Sequence, residues 1–155
     1  MSVTVRPAVA TDAESWQRLY AGYREFYGLS ADEQAVERTW AWVLAKQHGI
    51  TGLVAVDVAG APGIVGLANV RLYARPMRAS MGLFLDDLFT DPSARGHGVA
   101  TALLVAVAET AAAAGADVVR WFTAGSNGPA RSIYDRVATL TPWITYEMIP
   151  NKGTE

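Results

Sequence analysis

One segment, residues 82–123, constrains the fold more than any other part of the chain. Its first part, 82–90, carries apolar side chains on both alternating faces, which predicts a strand covered on both sides. A loop that contains Gly96 and Gly98 follows, then an Ala- and Leu-rich helix, and then a short strand over 117–123. A strand, a helix and a second strand in this order predict a parallel pair joined by a right-handed crossover.

The rest of the sequence completes a mixed α/β sheet. Short connections join the strands before residue 90, so we expect those strands to be antiparallel, and the whole chain, 1–155, to form a single domain. The other predicted elements are a strand over 3–6, helices opened by the capping boxes Thr11–Glu14 and Ser30–Glu33, strands over 52–58 and 64–73, a helix after Asn127, and a last strand over 143–149.

Composition excludes several classes of protein. Hydrophobic residues make up 51% and charged residues 18% of the chain, which excludes a disordered protein. The net charge of −2 is unlike that of a polybasic nucleic-acid binder. Cysteine is absent and there are two histidines, so we expect no disulfide, no thiol nucleophile and no metal site.

The hydropathy pattern predicts a cytoplasmic protein with no membrane partner. The longest apolar stretch, 99–108, is half the length of a membrane span of about 20 residues. The first residues have no apolar core of signal-peptide length.

The loop with Gly96 and Gly98 favours an anion site. Glycines let backbone N–H groups converge on a ligand, and the following helix N-terminus adds free donors and partial positive charge. Alone, this pair of glycines is weak support for phosphate binding, but the order of strand, loop and helix strengthens it. The loop lacks the third glycine of a Rossmann fingerprint and the lysine of a Walker A loop.

Two motifs make the sequence resemble a known family. Arg95-Gly96-His97-Gly98-Val99-Ala100 fits Arg/Gln-x-x-Gly-x-Gly/Ala of the GCN5-related N-acetyltransferases, and Asn127, Ala130 and Tyr134 fit that family's Asn-x-x-Ala-x-x-x-Tyr. The strand 85–89 looks like that of diamine acetyltransferases, and 121–138 resembles small fungal histone and D-amino-acid N-acetyltransferases. Ala138 replaces the glycine that usually follows the tyrosine helix, which weakens the likeness to the diamine enzymes.

The resemblance implies a GNAT-like sheet, mostly antiparallel, with a central splayed parallel pair flanked by helices. It also implies acetyl-CoA as co-substrate, with the pantetheine arm along the splayed strand and the pyrophosphate on the glycine loop. The implied cofactor-binding residues are Leu88, Phe89, Thr90, Arg95, Gly96, His97, Gly98, Val99, Ala100, Thr101, Asn127 and Ala130.

The implied catalytic residues are Tyr134 and Asp86. A tyrosine with a pKa near ~10 can protonate the leaving thiolate. Asp86, nine residues before Arg95 as in diamine acetyltransferases, is the candidate base, acting through water or by holding the ammonium. Strand alternation separates Asp86 from Asp87 unless a bulge intervenes, so only one of them is expected to reach the substrate.

Two functions remain open from the sequence. The first is an N-acetyltransferase that acetylates a primary amine of a small cationic or amino-acid-like acceptor. The alternative is a non-catalytic acyl-CoA-binding sensor or assembly module, which has no need of Tyr134 and Asp86. The apolar strand with Trp143, Ile144, Tyr146 and Met148 is expected either to pair across a homodimer or to be buried within one chain.

Overall fold

The structure, a computed structural model, describes residues 2–60 and 63–150. Within these ranges the chain forms two compact units, which divide between residues 122 and 123. The first unit contains one five-stranded sheet with helices on both faces. Its elements are β1 (Val3–Pro7), α1 (Ala13–Phe26), α2 (Glu33–Leu44), β2 (Ile50–Asp57), β3 (Ile64–Arg75), β4 (Ser80–Thr90), α3 (Val99–Ala113) and β5 (Ala116–Arg120).

The sheet has the strand order β1-β2-β3-β4-β5, and its neighbours are antiparallel except for the parallel pair β4 and β5. Helix α3 connects these two parallel strands, as the right-handed crossover rule requires. The predicted mixed sheet flanked by helices is therefore confirmed.

The two faces of the sheet are covered by different helices. Helix α3 lies on one face, where Gly66 is needed because an added Cβ would come within 2.7 Å of a Val99 side-chain carbon. Helices α1 and α2 cover the other face around a buried cluster that includes Trp16, Trp40 and Leu67. No helix in the described ranges is long and apolar enough to cross a bilayer.

The second unit contains one helix, α4 (Gly128–Val137), in its described part. The last strand predicted from the sequence, 143–149, is not formed, and residues 138–150 have neither helix nor strand. A strand needs a neighbouring strand for its backbone hydrogen bonds, and the described part of this unit contains none.

Candidate active site

The carboxyl end of β4 has an open edge. Strands β4 and β5 pair only as far as Phe84, opposite Arg120. Beyond that point β4 continues to Thr90 and stays paired with β3 on its other side. Within the described residues, the edge of 85–90 that faces away from β3 therefore has no partner strand.

Backbone alternation directs specific donors to this open edge. The Asp91 N–H donates to the Val65 carbonyl at 2.9 Å, which fixes the direction of odd-numbered N–H groups toward β3. Successive N–H groups of a strand point to opposite edges. The N–H groups of Leu88 and Thr90 therefore point to the open edge, whereas the ring of Phe89 packs in the core.

The loop after β4 presents backbone donors to open space. Gly96 and Gly98 have φ of 78° and 79°, which L-residues rarely adopt, and Gly98 is the N-cap of α3. The first helical bond runs from the Ala102 N–H to the Gly98 carbonyl, so the N–H groups of 99–101 have no acceptor within the helix. An added Cβ on either glycine would meet no described atom within 4 Å. These donors and this space suit a pyrophosphate.

The Arg95 side chain turns from the loop toward α1. Its guanidinium carbon lies 5.8 Å from the ring centroids of both Phe26 and Phe89. The carbonyl of Arg95 is 2.9 Å from His97 Nδ1. The side chains of Arg95 and His97 thus make contacts within the protein, and their backbone groups remain part of the loop.

A β-bulge interrupts the pairing of β3 with β4. Asn69 lies opposite Asp87 and Val70 lies opposite Leu85, so Asp86 is an extra residue on β4. A bulge of this kind breaks the simple alternation of side chains. Sequence reasoning identified this as the condition under which Asp86 and Asp87 share a face.

The contacts show that both carboxylates are on the face covered by α1. Asp87 accepts a hydrogen bond from Asn69 at 2.8 Å, and Asp86 accepts one from Arg71 at 2.9 Å. Asn69 and Arg71 are two residues apart on β3 and therefore project from the same face. The bulge thus brings two negative charges together.

Asp87 is largely buried among neutral donors. One of its oxygens accepts from Asn69 Nδ2 at 2.8 Å and from the Tyr20 hydroxyl at 3.4 Å. Burial raises the pKa of Asp87, and the nearby charge of Asp86 adds to this, while hydrogen bonds from Asn69, Tyr23 and Tyr20 act in the opposite direction. In the described part of the chain, no cationic side chain is paired with Asp87.

The two tyrosines are protonated donors. Burial, followed by the Asp87 charge, raises the pKa of Tyr20 and of Tyr23 well above the ordinary range. Their spacing on α1 places both tyrosines on the same helix face as Trp16. Tyr20 stacks on Trp16 with a centroid separation of 4.6 Å and also reaches Asp87.

Asp86 is exposed and paired with a cation. Both of its oxygens accept from Arg71 Nε, at 3.1 and 2.9 Å. The guanidinium carbon of Arg71 also lies 5.0 Å from the centroid of the Phe84 ring. Asp86 and Asp87 therefore differ in solvent exposure and in charge compensation.

Sequence reasoning did not connect Asn69 or Arg71 with Asp86 and Asp87. Asn69 was detectable as an amide inside the apolar run 64–70, and it is 1% exposed. Arg71 lies within the predicted strand 64–73, and the structure places it in β3. Among residues 2–60 and 63–150, no group of three or more acidic or histidine side chains could hold a metal ion.

The second unit holds Asn127, Ala130 and Tyr134 on α4 or at its start. Asn127 is the N-cap, and its carbonyl accepts from the Arg131 N–H at 3.0 Å. Three and seven residues later, Ala130 and Tyr134 follow on the helix. The Arg131 side chain donates to the Gly125 carbonyl at 2.9 Å, which ties the loop to the helix.

Two relatives resemble nearly the whole chain. The D-amino-acid N-acetyltransferase HPA3 of Saccharomyces cerevisiae is 24% identical over 145 residues, covering 94% of this chain and 89% of the relative. The uncharacterized N-acetyltransferase YhfO of Bacillus subtilis is 29% identical over 136 residues, covering 86% of this chain and 87% of the relative.

Solved acetyltransferase structures share the fold. One described as a probable acetyltransferase has a TM-score of 0.82 at 18% identity, over 99% of this chain and all of that one. AAC(6')-Iy, in complex with the bisubstrate analogue CoA-S-monomethyl-acetylneamine, has a TM-score of 0.80 at 19% identity, over 97% of this chain and all of that one. Residues 16–138 match the family model described as the acetyltransferase (GNAT) family, so the chain belongs to the GNAT family of acetyltransferases.

Proposed function

We propose that this protein transfers the acetyl group of acetyl-CoA to a primary amine of a small cationic or amino-acid-like acceptor. The observation that carries the proposal is the open edge of β4, which leads directly into a loop of unpaired backbone donors. An extended thioester arm can pair with such an edge, and its pyrophosphate can bind the loop.

The acyl donor is proposed to bind along 88–101. The N–H group of Thr90 supports pairing with a pantetheine amide, and the N–H groups between Gly96 and Thr101 support binding of the pyrophosphate. The Leu88 N–H is the proposed donor to the thioester carbonyl oxygen as negative charge develops on that oxygen. A preorganised donor of this kind contributes about 3–4 kcal/mol to the transition state.

Asp87 is the proposed acceptor of the amine proton. Its raised pKa brings it closer to that of an ammonium group, near ~10, than an ordinary carboxylate would be. Its uncompensated charge also attracts the ammonium. Asp86, the residue that the sequence indicates, remains the competing assignment because it belongs to the same cluster.

The reaction is then balanced by three proton movements. The ammonium loses a proton to the carboxylate through water, and the neutral amine attacks the thioester carbon. The carbon–sulfur bond breaks as the carbon–nitrogen bond forms, and the thiolate takes a proton from Tyr134. The new amide nitrogen then loses its second proton, which returns through water to the Tyr134 phenolate. The motif Asn127, Ala130 and Tyr134 supports this role for the tyrosine.

The acceptor class has support from the relatives and from the cluster. The yeast relative is a D-amino-acid N-acetyltransferase, and AAC(6')-Iy is described as an aminoglycoside N-acetyltransferase. Two carboxylates on one face of the sheet favour an acceptor that carries a cationic amine. We therefore propose a small molecule as the acceptor.

A homodimer is proposed as the functional assembly. Apolar side chains of 140–149 are almost entirely exposed, for example Tyr146 at 89% and Met148 at 92%. Exposed apolar patches of this kind mark interaction sites. Strand β5 is an edge strand, and the same edge of a second copy offers backbone groups for this segment.

The test is acetyl transfer with a mixed panel of acceptors. Free thiol is measured during incubation with acetyl-CoA and polyamines, D- and L-amino acids, aminoglycosides or basic peptides, and acetylated products are identified by mass spectrometry. We expect thiol release that depends on a small amine. Binding of acetyl-CoA without amine-dependent release across the panel would favour the sensor instead.

A further inference from the structure

The bulged cluster also carries a feature that simple amine transfer does not require. Arg71 is fixed on two sides, because its Nε donates to both oxygens of Asp86 and its guanidinium lies over the Phe84 ring. Its two terminal amino groups, Nη1 and Nη2, have no protein acceptor in the described ranges, and we call them the outer edge of Arg71. This outer edge is a fork that matches a carboxylate.

Arg71 lies beside the proposed ammonium site. Asn69 holds Asp87 at 2.8 Å, and Arg71 follows two residues later on the same face of β3. Residues at that spacing have Cα atoms about 6.6 Å apart. The carboxylate of Asp87 on β4 and the guanidinium of Arg71 on β3 thus lie near each other on one face of the sheet.

We infer that the acceptor is a free α-amino acid and that Arg71 binds its carboxylate while Asp87 receives its ammonium group; this rests on the proposed amine transfer. An α-amino acid carries both charges on one carbon. Bound in this way, it completes a row of alternating charge from Asp87, through the ammonium and carboxylate, to Arg71 and Asp86. A polyamine leaves the outer edge of Arg71 facing only water.

The aromatic rings next to Arg71 indicate which amino acid to test as the acceptor. Phe84 packs edge-on against Phe122 with a centroid separation of 5.0 Å, and Phe122 is 66% exposed. The ring of Tyr73 is also next to Phe84, with a centroid separation of 6.1 Å. An amino acid with an aromatic side chain has an apolar surface to contact here, so phenylalanine is the acceptor to test.

The experiment compares phenylalanine, tested as both enantiomers, with phenylalaninamide and phenethylamine, which keep the amine and ring but lack the carboxylate. For the natural chain we expect kcat/KM to be about 10- to 100-fold higher for phenylalanine, the range of one charge-assisted pair. Arg71→Gln should remove this preference through KM for phenylalanine, so that the ratio of kcat/KM for the acid to kcat/KM for the amide falls to about 1. Arg71→Lys, which keeps the charge without the fork, should recover part of the preference.

The matched control is Arg75→Gln. Arg75 lies on the same strand, but it is paired with Asp117, so its loss should leave the ratio of kcat/KM for the acid to kcat/KM for the amide unchanged.

Equal kcat/KM for phenylalanine and its amide in the natural chain would overturn the inference and leave the proposed function standing. If no amine is acetylated, the proposed function fails, and calorimetry of phenylalanine with the CoA-loaded protein decides the inference. Binding that Arg71→Gln abolishes supports it, and unchanged binding overturns it.

Discussion

At the scale of single residues, Asp87 lowers the stability of the fold and is also the proposed proton acceptor. A buried carboxylate that lacks a cationic partner is destabilising at neutral pH, because burial disfavours its charged form. Asn69, Tyr20 and Tyr23 reduce this penalty by hydrogen bonding. The carboxylate charge of Asp87 is thus left for the ammonium group of the acceptor to neutralise.

Asp87→Asn should therefore inactivate and stabilise the protein. Turnover should fall about 10²- to 10⁴-fold, the usual contribution of a positioned acid or base. Because the pKa of Asp87 is raised in the folded state, the ionised group lowers stability above that pKa and the loss is recovered as pH falls through it. The neutral amide should thus raise the urea midpoint of unfolding at pH 7. As the pH is lowered, kcat/KM of the natural chain should begin to fall at a pH higher than ~3.9, the pKa of an ordinary aspartate.

Asp86→Asn is the matched comparison. It removes the same charge from the adjacent residue, but from an exposed pair with Arg71, which is worth about 0–1 kcal/mol. We expect turnover with an amine that lacks a carboxylate to stay within about fivefold of the natural chain. Severe loss in Asp86→Asn together with normal turnover in Asp87→Asn would restore Asp86 as the proton acceptor.

Tyr134→Phe tests the proposed acid. The substitution keeps the ring and removes the hydroxyl proton, so turnover should fall about 10²- to 10⁴-fold while acetyl-CoA affinity changes little. Steady-state kinetics and calorimetry measure the two quantities separately. Turnover like that of the natural chain would mean that water protonates the thiolate.

At the scale of elements, α3 offers an internal control for the pyrophosphate site. Gly98 at its start and Gly115 just after its end both have positive φ, 79° and 71°, and open space where a Cβ would lie. Gly98→Val and Gly115→Val should therefore impose similar backbone strain. Only the first places a branched side chain over the loop donors.

We expect Gly98→Val to lower acetyl-CoA affinity by more than about tenfold, equivalent to the loss of one charge-assisted hydrogen bond, while Gly115→Val binds normally. Calorimetry on both folded variants measures this difference, with circular dichroism as the check on folding. Equal affinity in the two variants would show that the pyrophosphate binds elsewhere.

Local sequence patterns predicted the helices and strands better than they predicted the residues at which the helices begin. The order of helices and strands through residue 137 follows from the periodicity of apolar residues. The N-cap of α1 is Asp12 and not Thr11, and the Asp12 carboxylate forms an ion pair with Arg6. The N-cap of α2 is Asp32 and not Ser30, and the Asp32 carboxylate accepts a hydrogen bond from the Ala35 N–H. Several residues compete for each cap, and tertiary contacts select among them.

The bulge at Asp86 could not be located from the sequence. It depends on the register between β3 and β4, which distant residues set together, so Asn69 and Arg71 could not be assigned to the carboxylate cluster. The motif residues from Arg95 to Thr101 were identifiable because their chemistry depends on backbone groups of one continuous segment. Their grouping with Tyr134 rests on the family resemblance.

At the scale of the whole molecule, the segment 139–150 contrasts with the sheet. Its apolar side chains are mostly exposed, including Trp143 at 76% and Ile144 at 79%. In an extended conformation, Ile144, Tyr146 and Met148 would share one apolar face, and Thr145 and Glu147 would lie on the other. This pattern fits a strand that lacks its partner.

The proposed dimer predicts a mass of twice 16.6 kDa by light scattering at assay concentration. Ile144→Asp should dissociate it, because it buries a charge in the interface, whereas Thr145→Asp adds the same charge on the polar face and should leave the dimer intact. The chain has no cysteine, so pairing can be tested by mixing a Thr145→Cys chain with a Val118→Cys chain. A thiol-specific cross-linker should join the two variants when they are mixed. A monomeric mass for the natural chain would disprove the proposed homodimer, because the apolar segment 139–150 would then have no partner strand from a second copy.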